Sequence, residues 1–127
     1  MTQTEAHTYF TDYAAAFIED ATKAADRFLH VPLTIVERDK AIALTDKQAL
    51  MENFARLNDA NTQMGLADAL IERCEVQPTK GDNVIEATVG WRFINTARED
   101  IYAFETRYVL CDYGDGWKIT VAVNVDA

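Results

Sequence analysis

The sequence is poor in the residues that build metal sites and disulfide frameworks. It has two cysteines and two histidines among 127 residues, and none of these lies at the spacing of metal ligands. We therefore expect no metal and no other cofactor. The five glycines and two prolines are too few for a collagen-like or low-complexity chain, and the length predicts a single domain over residues 1–127.

Basic residues are also scarce, because 12 lysines and arginines are outnumbered by 21 aspartates and glutamates, which gives a net charge of −9. Binding to nucleic acid or to an anionic membrane surface requires a basic patch, so neither is an expected partner. No apolar run has the length of a membrane span. Residues 1–10 also lack the basic and apolar segments of a secretory leader.

The two cysteines fall on opposite faces of their predicted strands, Cys74 on the apolar side and Cys111 on the polar side. A disulfide cannot join opposite faces of a sheet unless the backbone is rebuilt. Free thiols suit a reducing compartment, so we expect a cytoplasmic protein.

Three segments between Val84 and Val125 alternate apolar and polar residues, which is typical of strands with one buried face. Tight turns between the segments predict an antiparallel meander in which Trp91 lies opposite Phe104. Matching the apolar faces across both turns fixes which side of each strand is buried. In the third segment, the same alternation predicts that the inward-facing residues are Ile119, Val121, Val123 and Val125.

A helix and a short hairpin are predicted before this meander. Apolar residues recur every three or four positions from Thr4 to Leu29, with a possible break near Asp20, and this spacing predicts an amphipathic helix. Residues 33–44 then read as two short strands around a polar turn.

A second helix is predicted from the capping box Thr45–Gln48, with the threonine as N-cap, to a glycine stop at Gly65. A strand from about Ala67 to Thr79 comes next and leads through a turn at residues 80–83 into the meander. This order of elements predicts an α+β fold, in which N-terminal helices pack on one side of a curved antiparallel sheet.

Glu72 is the carboxylate that this strand most readily places inside the fold. If the even-numbered residues face inward, Glu72 is buried beside Trp91; the other choice buries both Arg73 and Glu75, which costs more. A carboxylate in such a place is a candidate general base. Alternatively, a β-bulge displaces Glu72 outward, as is common in long strands.

Several local patterns accompany this order of elements: residues 13–17 (Tyr-Ala-Ala-Ala-Phe), Phe28–Leu29, residues 90–93 (Gly-Trp-Arg-Phe) and residues 115–119 (Asp-Gly-Trp-Lys-Ile). Together they resemble the nuclear transport factor 2-like superfamily, particularly its SnoaL-like and ketosteroid-isomerase-like branches. The resemblance implies a cone-shaped α+β barrel with a pocket between the helices and the concave sheet. It also implies a homodimer formed through the outer face of the sheet.

The resemblance also points to candidate site residues. Tyr13 occupies roughly the position of the isomerases' oxyanion-hole tyrosine, whereas their general-base aspartate falls near Val36, where the nearest acid is Glu37. His30, just after the first helix, is either a helix-capping cation or a proton shuttle. Aromatic residues expected to line a pocket for a flat ligand, or else to belong to the plain core, are Phe10, Phe17, Phe54, Trp91, Phe93, Tyr102 and Tyr108.

Three functions remain open from the sequence. The first is a small-molecule-binding protein that holds a hydrophobic or aromatic ligand in the cone. The second is a cofactor-independent acid–base enzyme of the isomerase, cyclase or dehydratase type, with Glu72 as base and Tyr13 or His30 as hydrogen-bond donor. The third is a dimeric interaction module that uses the outer sheet face, where Arg92 and Glu105 are predicted to pair.

Overall fold

The computed structural model describes residues 1–79 and 81–126, in which it places three helices and six strands. The helices are α1 (Gln3–Glu19), α2 (Ala21–Phe28) and α3 (Lys47–Met64). The strands are β1 (Leu29–Val36), β2 (Ala41–Leu44), β3 (Asp68–Pro78), β4 (Val84–Ile94), β5 (Asp100–Asp112) and β6 (Trp117–Asp126).

All six strands form one sheet in the order β2-β1-β6-β5-β4-β3. The sheet is mixed and open: β1 runs parallel to β6, the other neighbours are antiparallel, and β2 and β3 form the two edges. The predicted α+β cone with helices against a curved sheet is confirmed. The parallel pairing of β1 with β6 was not predicted, because it joins strands that are distant in sequence and have no turn between them.

The hydrophobic core lies between the helices and the inner face of the sheet. Phe10 of α1 is fully buried there, with its ring centroid 4.7 Å from that of Tyr108 on β5. The side chain of Gln3 also ties α1 to the exposed edge of β3: its amide donates to the carbonyl of Cys74, and its Oε1 accepts from the amide of Val76 at 3.0 Å. These contacts hold α1 across the concave face.

The predicted register of the β4–β5 hairpin is confirmed, and the predicted hairpin of two short strands is present as β1 and β2. Trp91 lies opposite Phe104 across β4 and β5, as the alternation required. In the β1–β2 hairpin, Leu33 lies opposite Leu44. In both hairpins the two apolar faces coincide, so the strands bury one side continuously.

Two of the register shifts in the sheet, one on β3 and one on β6, change which side chains face inward. On β3, Ile71 lies opposite Trp91 but Arg73 lies opposite Gly90, so Glu72 is an extra residue at a bulge. On β6, the pairs Leu110–Ile119 and Val109–Val121 leave Thr120 as the extra residue. An extra residue reverses the alternation beyond it.

The bulge on β6 overturns the predicted inward face of that strand. Ile119 is fully buried as predicted, but after Thr120 the inward positions are Ala122 and Asn124. The prediction that Val121, Val123 and Val125 face inward was therefore wrong, since these valines lie opposite outward-facing residues of β5.

The helix ends are set by capping side chains. Asp20 ends α1 and begins α2, where its carboxylate accepts from the amide of Thr22 at 2.9 Å, so the predicted break is confirmed. The N-cap of α3 is Asp46, which accepts from the amide of Ala49 at 2.7 Å. The predicted capping box, with Thr45 as N-cap, was wrong by one residue. The side chain that makes the capping hydrogen bond, to the amide of Ala49, is that of Asp46. Gly65 ends α3 with φ 77°, as predicted.

Several expectations concern the chain as a whole. The predicted turn at residues 80–83 includes Lys80, which lies outside the described residues.

Cys74 and Cys111 are free thiols. Within residues 1–79 and 81–126, no helix combines the length and apolar character needed to cross a membrane, and no group of side chains could hold a metal ion.

Candidate functional site

A cavity of about 410 Å³ lies between the helices and the concave face of the sheet. Residues of α1 and α3 cover it from one side, while β1, β4, β5 and β6 form the opposite wall. Of the seven aromatic residues predicted to bind a ligand, six line this cavity, and they are Phe17, Phe54, Trp91, Phe93, Tyr102 and Tyr108. Their binding of a ligand stays a prediction.

Phe10 is the predicted ligand-binding aromatic that does not line the cavity. It is fully buried in the core, where it packs on the ring of Tyr108. Residues one and two turns further along α1, namely Tyr13, Ala14 and Phe17, face the cavity instead. Phe104 also lines the cavity, and its place on the apolar face of the second meander strand was the signal that could have identified it.

Tyr13 lies in the cavity wall, as its predicted site role required. Its ring stacks on Phe17 with centroids 6.0 Å apart and lies edge-on to Phe28 at 5.7 Å. Burial raises the pKa of Tyr13 well above its ordinary value, so the phenol stays protonated. The described residues provide no hydrogen-bond partner for this hydroxyl, which leaves it free to donate into the cavity.

Polar side chains of β4, β5 and β6 also form hydrogen bonds with one another on the concave face. The indole Nε1 of Trp91 donates to the hydroxyl of Tyr108 at 3.0 Å, and the hydroxyl of Thr106 donates to Oδ1 of Asn124 at 2.9 Å. Burial raises the pKa of Tyr108 to about 12, although the hydrogen bond from Trp91 opposes the shift. Asn124 reaches the cavity only because of the bulge at Thr120, so strand alternation alone missed it.

Glu72 lies on the outer face of the sheet, so its predicted position beside Trp91 was wrong. Its side chain is 54% exposed and forms an ion pair with Arg92, with Nε 3.1 Å from Oε1 but without the angle of a hydrogen bond. The bulge explains the difference, because Glu72 is the extra residue that it turns outward. The predicted Arg92–Glu105 pair was also wrong, since Glu105 pairs with Arg73 and Arg107 instead.

His30 also lies outside the cavity. It is the second residue of β1, and its ring centroid is 5.3 Å from that of Tyr113 in the β5–β6 turn. Its neighbour Leu29 lines the cavity, so alternation directs His30 to the other side. The structure therefore brings Tyr13 to the cavity and leaves both Glu72 and His30 away from it, and the predicted catalytic trio is not assembled.

Four polar residues complete the lining at the mouth of the cavity. Glu37 and Lys40 belong to the β1–β2 turn, while Asn53 and Arg56 lie on α3. The charged residues among them are exposed, so they stand where the cavity opens to solvent. Lys40 Nζ lies 3.9 Å from Glu37 Oε2. Sequence reasoning named Glu37 only as the acid nearest to Val36, because nothing local places this turn beside α3.

The family model described as NTF2-like protein (DUF6841) matches residues 4–127. The chain belongs to this NTF2-like family. The resemblance that the sequence suggested is thus confirmed, and the open, cone-like sheet with its helices is the fold of that superfamily. No functionally curated protein has a sequence that matches the chain.

Solved structures support the same fold. An NTF2-like protein with a cystatin-like fold from Novosphingobium aromaticivorans has 11% identity and a TM-score of 0.72, over 96% of this chain and 80% of that one. Aln2 from a Streptomyces species has 12% identity and a TM-score of 0.71, over 97% and 88%. A putative calcium/calmodulin dependent protein kinase II association domain from Xanthomonas campestris has 11% identity and a TM-score of 0.70, over 97% of this chain and 86% of that one. At these identities the likeness establishes the fold alone.

Proposed function

We propose that this NTF2-like domain binds a small hydrophobic or aromatic molecule in the cavity between its helices and sheet. The observation that carries the proposal is the aromatic lining of a cavity of about 410 Å³. Ligand sites in proteins typically have volumes of about 300–1,000 Å³ and an apolar lining with a few polar groups. The cavity meets both conditions.

The polar groups in the wall favour a ligand that carries at least one hydrogen-bond acceptor. Tyr13 lies in the cavity wall, and no hydrogen bond engages its hydroxyl among the described residues. This hydroxyl can therefore donate to an acceptor on the ligand without giving up an existing partner. The amide of Asn124 offers a second donor from the opposite wall, because only its oxygen is engaged by Thr106.

Binding is better supported than catalysis. The enzyme hypothesis needed Glu72 and His30 beside the ligand, and both lie outside the cavity. Within the described residues, the acid that lines the cavity is Glu37, which is 42% exposed at the mouth and faces Lys40. An exposed carboxylate at the opening is in contact with solvent, whereas a general base must reach the proton of a molecule held inside the cavity.

The test uses N-phenyl-1-naphthylamine, an uncharged fluorophore whose emission increases in apolar surroundings. The variant Ala14→Phe places a ring in the cavity, since Ala14 lines it. The matched control is Ala15→Phe, because Ala15 is the next residue of α1 and is exposed. We expect the wild type and Ala15→Phe to bind the probe with similar affinity. We expect Ala14→Phe to bind it at least tenfold more weakly.

Circular dichroism of both variants shows whether the fold is kept. If Ala14→Phe unfolds, Ala122→Leu provides a second way to fill the cavity, from the sheet side. Absence of probe binding to the wild type, or equal binding by a folded cavity-filling variant, would contradict the proposal.

We also propose that two copies of the chain associate through the outer face of the sheet. That face carries charges of both signs, including the Arg73–Glu105–Arg107 cluster, next to the partly exposed Val121 and Val123 of β6. Alternating charges allow a two-fold related copy to meet its opposite sign. A cytoplasmic location stays a prediction.

A further inference from the structure

The mouth of the cavity carries more positive than negative charge, in contrast to the chain as a whole. Lys40 and Arg56 line the opening together with a single acid, Glu37, whereas the chain has a net charge of −9. Two cations at the entrance to an apolar cavity attract an anion.

Neither cation is strongly engaged by the protein. Lys40 and Glu37 are separated by 3.9 Å, with side chains 60% and 42% exposed, and exposed pairs of this kind interact weakly. Arg56 has no carboxylate within ion-pair distance in the part of the chain that the structure describes. Both cations are therefore available to a bound molecule.

The interior of the cavity cannot accept the same charge. Its wall consists of aromatic and aliphatic side chains, and its buried polar groups are the neutral Tyr13, Thr106 and Tyr108. Moving a bare charge into such surroundings is costly. A charged ligand is thus oriented in one way only, with its apolar part inside and its charge at the mouth.

We propose that the natural ligand is an amphipathic monoanion, with an aromatic or other flat apolar body in the cavity and a carboxylate-type group held by Lys40 and Arg56. This inference rests on the proposed function, because it needs the cavity to bind ligand. A single negative charge matches the mouth, where two cations and Glu37 leave one net positive charge. The hydroxyl of Tyr13 donates to an acceptor at the inner end of the ligand.

The first experiment compares two probes that differ by one anionic group. N-phenyl-1-naphthylamine is neutral, and 8-anilino-1-naphthalenesulfonate has the same ring system with a sulfonate, which here stands in for a carboxylate. We expect the sulfonate probe to bind the full chain at least threefold more tightly. We also expect added salt to weaken the binding of the sulfonate probe but not that of the neutral probe, because ions screen exposed charges.

Substitutions at the mouth should then change the ratio of the two affinities in opposite directions. Lys40→Gln and Arg56→Gln should each lower the preference for the sulfonate about two- to fivefold, the size expected for an exposed charge pair. Glu37→Gln should raise it, because it removes a repulsive charge and releases Lys40. Lys23→Gln is the control: it removes the same charge from α2, which contributes nothing to the cavity lining.

The ligand's anionic group is tested with 1-naphthaleneacetate and 1-naphthyl phosphate as competitors. If the dianionic 1-naphthyl phosphate binds more tightly than the monoanionic 1-naphthaleneacetate, the assignment of a monoanion is overturned. One outcome would contradict the present inference alone. In it, the neutral probe binds and Ala14→Phe abolishes its binding, but substitution of Lys40, Arg56 or Glu37 leaves the ratio of the two probe affinities unchanged. The proposed function would then still stand. If neither probe enters the cavity, the proposed function itself fails.

Discussion

Removing the hydroxyl of Tyr108 should destabilise the domain by leaving a buried indole N–H without its partner. In the structure Trp91 Nε1 donates to this hydroxyl at 3.0 Å, with Trp91 3% and Tyr108 6% exposed. The substitution Tyr108→Phe keeps the ring that packs on Phe10, so its effect comes from the polar group.

The magnitude is set by the cost of an unsatisfied buried donor, which is about 1–3 kcal/mol. The neighbouring cavity lowers this cost, because water entering it can accept part of the hydrogen bond. We therefore expect a loss of about 1–2 kcal/mol in the free energy of unfolding, which corresponds to a fall in Tm of roughly 3–10 °C for a domain of this size.

Urea denaturation followed by circular dichroism measures the loss. The control is Tyr113→Phe, since Tyr113 is 63% exposed and its substitution should cost less than about 0.5 kcal/mol. A double-mutant cycle with Trp91→Phe separates the hydrogen bond from packing. The reasoning is refuted if Tyr108→Phe costs no more than Tyr113→Phe, or if it costs the same with and without the Trp91 indole.

Three further predictions test the helix cap, the bulge and the assembly. Asp46→Ala should cost about 1 kcal/mol in thermal or urea unfolding because it removes the N-cap of α3, whereas Thr45→Ala should cost clearly less; the reverse order would support the cap that the sequence suggested. Glu72→Gln should change the free energy of unfolding by less than about 0.5 kcal/mol, since its ion pair is exposed, and should leave probe affinity unchanged; a large loss of either would place Glu72 nearer to the core or the cavity than its register indicates. Light scattering at micromolar concentration should report a dimer that Arg107→Glu weakens, and a monomeric wild type would contradict the proposed interface.

The central strands of the sheet could be predicted because their alternation is uninterrupted across the cavity wall. Trp91 and Phe104 are opposite each other as the sequence required, and Val89 and Phe93, the neighbours of Trp91 on the same face, are buried. The break at Asp20 was likewise predictable, because its capping carboxylate is a local signal.

The bulges could not be predicted from alternation. An extra residue at Glu72 or Thr120 leaves the composition of the strand unchanged but reverses the face on which the later residues of that strand lie. Burying Glu72 costs less than the other choice only in a regular strand, and the structure shows the alternative, a bulge that turns Glu72 outward. The assumption of a regular strand likewise placed Asn124 outside, although its amide lines the cavity.

The mouth of the cavity depends on contacts between distant parts of the chain. Lys40 and Arg56 are unremarkable in sequence, one in a polar turn and the other on an exposed helix position. They come together at one opening because β1 pairs with β6, which carries the β1–β2 turn to the cavity entrance. No local propensity encodes that pairing.

The most direct test of ligand binding in the cavity is a titration of the ¹⁵N-labelled protein with 1-naphthol, observed through the indole N–H signals of its two tryptophans. Trp91 lines the cavity, whereas Trp117, at the start of β6, does not. We predict that the Trp91 indole signal shifts progressively to saturation while that of Trp117 stays in place. A shift of Trp117 alone, or no shift of either signal at saturating naphthol, would contradict binding in the cavity.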